Sequence, residues 1–188
     1  HITIHTGVLS AYFTRQGKNI IDSLVYNQTK VGGEAKLICQ TESSEDKKRT
    51  YANYESLIKQ MHIERAGDIR TTVKIEGVHT DGVREWLPFT LRLHFYTGSE
   101  RIRLVHSFVF DGNQDTDFIR AMGLSFDIPM RETLYNRHVL FAGSDDGAWS
   151  EPIQPLTGRR VLALNGDRTL YKQQIAGKRI PEYEEFDA

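Results

Sequence analysis

The chain has 188 residues, 39% of them hydrophobic and 26% charged, with a formal net charge of -1 at pH 7. That is enough chain for one domain with its own apolar core. The charge balance lacks the basic excess that neutralises a nucleic-acid backbone, and no apolar run approaches the ~20 residues of a bilayer-spanning helix, so neither nucleic acid nor membrane is an expected partner.

The chain opens on "HITIHTG", with no initiator Met and no basic-then-apolar leader, which predicts either a processed terminus or a piece cut from a longer polypeptide. Ile2 and Ile4 alternate with His1, Thr3 and His5, the period of a half-buried strand. An N-terminal histidine also offers an amine and a ring nitrogen to one metal, as in copper-dependent polysaccharide monooxygenases. No other histidine is placed by the sequence to complete such a site, and no metal or other cofactor is expected. Cys39 is the only cysteine, so no intrachain disulfide forms and pairing says nothing about the redox compartment.

"VLSAYFTRQGKNIIDSLVYN" predicts a hairpin, with Gly17 and Lys18 near the turn and Ile20, Ile21, Leu24 and Val25 on the returning strand. "AKLICQ" predicts a short strand. The charged first part of "TESSEDKKRTYANYE" predicts a solvated, mobile loop. "SLIKQMHIERAGDIRTTVKIEGVHT" then predicts two long strands around Gly67 and Asp68. "FTLRLHFYTGSERIRLVHSFVFDG" repeats that arrangement around Gly98 and Ser99.

In this second hairpin Leu91, Leu93 and Phe95 alternate with Arg92, His94 and Tyr96, so one face can enter a core while the other stays polar. "MGLSFDIP" places Met122, Leu124, Phe126 and Ile128 on one side, and Pro129 ends the strand because it lacks the ladder donor. "RHVLFAG" and "VLALNG" predict further strands. The tail "YKQQIAGKRIPEYEEFDA" has no alternation and reads as a linker or docking arm. No window carries an amphipathic helix of ten or more residues, so the fold class is all-β, an antiparallel β-sandwich of two sheets joined mainly by hairpins.

Taken together, "ITIHTGVLSAYFTRQGKNIIDSL", "IERAGDIRTTVKIEGVH", "LRLHFYTGSERIRLVHSFVFDG" with "DFIRAMGLSFDIP", and "NRHVLFAG" with "PLTGRR" resemble the central β-sandwich domain of exo-acting rhamnogalacturonan lyases, polysaccharide lyase family 26. The likeness covers roughly residues 1–160. It implies a supersandwich similar to the galactose-mutarotase-like folds, with residues 161–188 leading toward a C-terminal (α/α) toroid and a small β domain preceding the sandwich. On this likeness His1 is interior sequence of a longer polypeptide. The resemblance further implies a secreted or periplasmic enzyme, a polysaccharide or oligosaccharide substrate, and neighbouring domains of the same polypeptide as partners.

Such a lyase breaks a glycosidic bond by β-elimination beside a uronic acid. The proton alpha to a carboxylate is very weakly acidic, so the reaction needs a cation or donor on that carboxylate and a base in reach of the proton. Arg suits the carboxylate because its planar fork binds two oxygens. Tyr, Lys or His can supply the base. The densest candidate segment is "RETLYNRH", which offers Tyr135, Arg137 and His138 as catalytic candidates, and Arg131 and Asn136 as substrate contacts. The alternative for this segment is an ordinary polar loop. Arg92, His94 and Tyr96 form the second candidate, as a sugar-binding face; their alternative is a solvated sheet face.

His106 shares its register with Ile102, Leu104 and Phe108, which predicts a core histidine with a satisfied ring. "HTDG" predicts a turn at His79 and Asp81 rather than a metal site, since no third ligand lies nearby. Trp86 and Trp149 are sugar-stacking candidates, with a core or domain interface as the alternative. There is no nucleophile elbow, phosphate loop or zinc-ligand spacing. Two functional classes follow: the sandwich of a multidomain pectin lyase, inactive when isolated, or a non-catalytic carbohydrate-binding or scaffold module. Convergence of Arg131, Tyr135, Arg137 and His138 on one cleft would favour the first.

Overall fold

The structure, a computed structural model, describes residues 1–45, 48–133, 136–142 and 147–152. Its strands are β1 (Ile2–His5), β2 (Leu9–Phe13), β3 (Ser23–Tyr26), β4 (Thr29–Gly32), β5 (Ala35–Glu45), β6 (Lys48–Arg65), β7 (Arg70–Thr80), β8 (Glu85–Tyr96), β9 (Ile102–Phe108), β10 (Phe118–Phe126), β11 (His138–Ala142) and β12 (Ala148–Pro152). Among the described residues there is no α-helix. β1 to β4 form a four-stranded sheet in sequence order, and a six-stranded sheet runs β10-β5-β6-β7-β8-β9. Every pairing is antiparallel. The two larger sheets form a sandwich, as the sequence predicts.

Period-two alternation builds the core. Ile2, Ile4, Ala11 and Phe13 of the small sheet meet Leu37, Ile58, Met61, Val73, Ile75, Phe89, Leu91, Leu93 and Phe95 of the large one. Each large apolar side chain so buried contributes roughly 1.5–3 kcal/mol. Arg92, His94 and Tyr96 alternate with the last of these residues and leave on the opposite, outer face.

Two expectations change. The strand predicted to return through Ile20 and Ile21 begins only at Ser23. Ile20 and Ile21 are fully buried instead, and their segment crosses to the large sheet: the Ile20 amide donates to Ala35 at 2.8 Å, and the Ile58 amide donates to Gly17. Where it is described, on either side of residues 46–47, the predicted loop in "TESSEDKKRT" is strand, with β5 and β6 paired from Thr41↔Ala52 out to Glu45↔Lys48. Register there is set further in, where Leu37, Cys39, Tyr54 and Ser56 are buried, and backbone pairing carries on outward without needing apolar side chains. The predicted "VLALNG" strand, "PLTGRR" and the tail lie outside the described residues.

His1–Pro129 forms one compact unit, and Met130–Ala188 a second that contains the β11–β12 hairpin.

In the first unit one ion pair ties the start of β8 to the connection before β10. The Arg84 guanidinium donates to both oxygens of Asp117 at 2.7 and 2.8 Å and lies 4.5 Å over the Trp86 ring, while Asp117 also accepts the Asn113 amide at 2.7 Å. Arg84 first, then the Asn113 amide, hold the Asp117 carboxyl below its ordinary pKa. A depressed folded pKa means stability that is present above the unfolded carboxylate value and lost as pH falls through the folded one. Asp117→Asn should therefore lower stability at pH 7 by about 1–2 kcal/mol, the scale of a partly exposed charged hydrogen bond. The difference from wild type should shrink below pH ~4. Urea midpoints measured at both pH values check it; a gap that persists unchanged in acid would contradict the assignment.

Candidate functional site

The outer face of the six-stranded sheet is polar, and strand register decides which side chains meet there. Arg65 on β6 pairs with Thr72 on β7, Thr72 with His94 on β8, and His94 with Arg103 on β9, so these four form one row across the sheet. Arg70 and Tyr96 form the next row toward the β6–β7 turn. Arg65, Gly67, Asp68, Ile69, Arg70 and Tyr96 line a cleft of about 450 Å³ at that end. The turn is held in place, because Thr97 donates its amide to the Ile69 carbonyl at 3.0 Å and its hydroxyl to the Asp68 carbonyl.

The electrostatics of the row differ from those of its neighbour. Arg92 is fully engaged by Glu64, with Nε to its two oxygens at 3.1 and 2.9 Å and Nη2 at 2.9 Å. Among the described residues Arg65, Arg70 and Arg103 are in no ion pair. The Nδ1 atom of His94 lies 3.0 Å from Thr72 Oγ1, which leaves Nε2 as the outward nitrogen. Desolvation, then the charges of Arg70 and Arg103, push the His94 pKa down, with Glu64 opposing them. At neutral pH His94 is therefore a neutral imidazole able to accept a proton. Unpaired guanidinium groups beside a neutral imidazole and a phenol are suited to hold a carboxylate next to a proton acceptor.

Of the residues singled out in the sequence, Arg92, His94 and Tyr96 share this face, all half-buried, with Arg92 committed to Glu64. Arg65, Arg70 and Arg103 were not singled out. In the second unit Arg131 and Asn136 are exposed, and the Asn136 amide donates to the Thr133 carbonyl at 2.8 Å. Arg137 is half-buried and turns its Nε onto the Glu132 carbonyl at 2.7 Å. His138 starts β11, exposed, with Nδ1 3.3 Å from Ser150 Oγ. Tyr135 lies outside the described residues.

Asp81 accepts the Val83 and Arg84 amides, each at 2.8 Å, which makes "HTDG" a turn. His79 is fully buried, with Nδ1 donating to the Leu87 carbonyl at 2.9 Å and Nε2 lacking a hydrogen-bond partner. His106 has the expected register, but its ring is not satisfied: Nε2 is buried without a hydrogen bond, between the rings of His79, Phe89 and Phe108. These neighbours supply packing there and make no hydrogen bond to it. Trp86 is a core residue, 2% exposed, and the side chain of Trp149 is outside the description. His1 Nδ1 lies 3.3 Å from Thr14 Oγ1, and among the described residues no three His, Cys, Asp or Glu side chains group as a metal site.

A family model described as "PcRGLX-like protein central beta sandwich domain" matches residues 1–188. The uncharacterized protein YetA of Bacillus subtilis (strain 168) is 35% identical over 190 residues, covering 98% of this chain. The chain spans 22% of that relative's length.

Proposed function

The chain belongs to the PcRGLX-like family as its central β-sandwich domain, and from that premise we propose that it supplies a uronate-binding face to a multidomain polysaccharide lyase. The observation that carries this reading is the row Arg65, Thr72, His94 and Arg103 with Arg70 and Tyr96 beside it. An acidic polysaccharide presents a carboxylate on a ring of hydroxyls. Arg65 and Arg70 hold the carboxylate, Tyr96 packs on the ring, and His94 accepts a proton or a hydroxyl hydrogen bond. For β-elimination the carboxylate clamp is the larger contribution, because it stabilises the charge that develops when the alpha proton leaves. The substrate class is rhamnogalacturonan-type pectin, met outside the cytoplasm.

The test uses the full-length protein that carries this chain, incubated with rhamnogalacturonan oligosaccharides while the absorbance of the unsaturated uronate product is followed. Calorimetric titration with oligogalacturonate runs in parallel, and its affinity should fall as salt rises, since guanidinium–carboxylate attraction is screened. Product together with salt-sensitive binding is the expected result. Binding without product moves the chain to the class of carbohydrate-binding modules, and absence of both removes the uronate site.

A further inference from the structure

We propose that the outer face of the four-stranded sheet holds a second ligand site, separate from the uronate face and suited to a neutral pyranose residue of a glycan chain. A cleft of about 450 Å³ opens between the β1–β2 loop and the β3–β4 turn. Its polar lining comes from His5, Ser10, Tyr12, Asn27 and Gln28, and none of the residues lining it is Arg, Lys, Asp or Glu.

Tyr12 lies on the strand face that carries His5 and Ser10, and the residue is 38% exposed. The His5 ring stands edge-on to it, at 6.5 Å between centroids and 89° between planes, and is itself oriented by Ser10 Oγ, 2.8 Å from its Nδ1. An open aromatic face accepts the C–H face of a sugar ring. Two amide side chains at its margin each offer a donor and an acceptor, the pair that a vicinal diol complements. A lining without Arg or Lys offers an acidic residue no guanidinium or ammonium partner, so the preferred ligand is neutral.

The turn that brings the amides here is built at a cost. Asn27 and Gln28 connect β3 to β4 as a two-residue hairpin loop with φ of 44° and 64°. Glycine takes the second position of such a turn without strain, so a glutamine there is a side chain kept against local preference. The turn is also fixed in place. The Asn27 amide donates to the Val8 carbonyl at 3.2 Å, and the adjoining loop is anchored by Thr6, whose hydroxyl donates to the Ser99 carbonyl at 2.8 Å and whose carbonyl accepts the Gly98 amide at 2.6 Å. A cleft held this way from both sides is preorganised.

Calorimetric titration of the full-length protein with gluco-, manno-, galacto- and xylo-configured neutral hexaoses tests the site. At least one hexaose should bind, with an affinity that does not change between low and high salt. Tyr12→Ala should weaken it at least ~10-fold, the scale of losing one aromatic contact. Gln28→Gly should weaken it similarly while Tm stays at or above wild type, because glycine relieves the turn. A glutamine that served only the fold would leave binding untouched. The Arg65→Ala/Arg70→Ala double variant should bind the hexaose normally, so failure of the uronate face and failure of this site read out separately. Binding by no hexaose, or binding that survives both Tyr12→Ala and Gln28→Gly, overturns the proposal.

Discussion

Gly77→Ala should lower stability by about 3 kcal/mol, the upper end of overpacking costs, and Gly77→Val should leave little folded protein at physiological temperature. Gly77 sits in the middle of β7, opposite Ile58 on one side and Phe89 on the other. A Cβ there would overlap the Leu57 carbonyl oxygen and come within 2.8 Å of Phe89 Cζ. The ring could turn, but the carbonyl belongs to β6 in the middle of the sheet and cannot withdraw without breaking pairing on both sides. For a domain of this size the alanine variant should melt ~6–12 °C below wild type. Thermal unfolding followed by circular dichroism measures it, and a Tm within a degree of wild type would show that β6 yields more easily than its position implies.

That glycine marks how far the sequence could be read. An isolated Gly in a strand pattern signals a bulge or a close backbone approach, and register shifts do flank this one, between Ile58 and Gln60 and between Gly77 and His79. The alternation in "LRLHFY" gave the facing of β8 directly, because no bulge interrupts it between Phe89 and Tyr96. β6 was less legible. Counting by twos from Met61 through Ile63 puts Arg65 on the core side, yet a shift between Ile63 and Arg65 sets two residues against one and turns Arg65 outward to pair with Thr72. A charged residue at core parity was the available signal. Arg70 and Arg103 were invisible for a different reason, since only cross-strand register brings them beside His94 and Tyr96, and register is a tertiary property.

The charged hairpin failed on the same ground. Local composition in "TESSEDKKRT" favours a loop, but strand pairing set by the buried ends of β5 and β6 extends out to Glu45 and Lys48. His106 shows the limit in the other direction: period two placed it correctly, and no pattern in one strand could say that its ring nitrogen would meet only aromatic faces. "RETLYNRH" attracted notice by density of chemistry-bearing residues. In the structure its Arg137 serves its own loop carbonyl, whereas the unpaired guanidinium groups are dispersed in sequence and collected by the sheet.

If those groups hold the uronate, Arg65→Ala/Arg70→Ala in the full-length protein should cut kcat/KM on rhamnogalacturonan oligosaccharides at least ~10²-fold, the scale of removing one preorganised charge-stabilising element. Folding should survive, because Arg65 is exposed, Arg70 half-buried, and neither has an ion pair to lose among the described residues. Arg70→Lys should recover little, since an ammonium cannot reproduce the two parallel hydrogen bonds of a guanidinium to a carboxylate. Arg92→Ala is the control for the same face: it should change turnover far less, because its guanidinium is already spent on Glu64. Arg137→Ala separates the two candidate locations. Clamping by the sheet face leaves that variant near wild-type turnover, while clamping from "RETLYNRH" reverses the pattern, with Arg137→Ala inactive and the double variant unaffected. Release of unsaturated uronate, measured alongside Tm for all four variants, decides it, and equal activity of the double variant and wild type at equal Tm would take the uronate off the outer face of the six-stranded sheet.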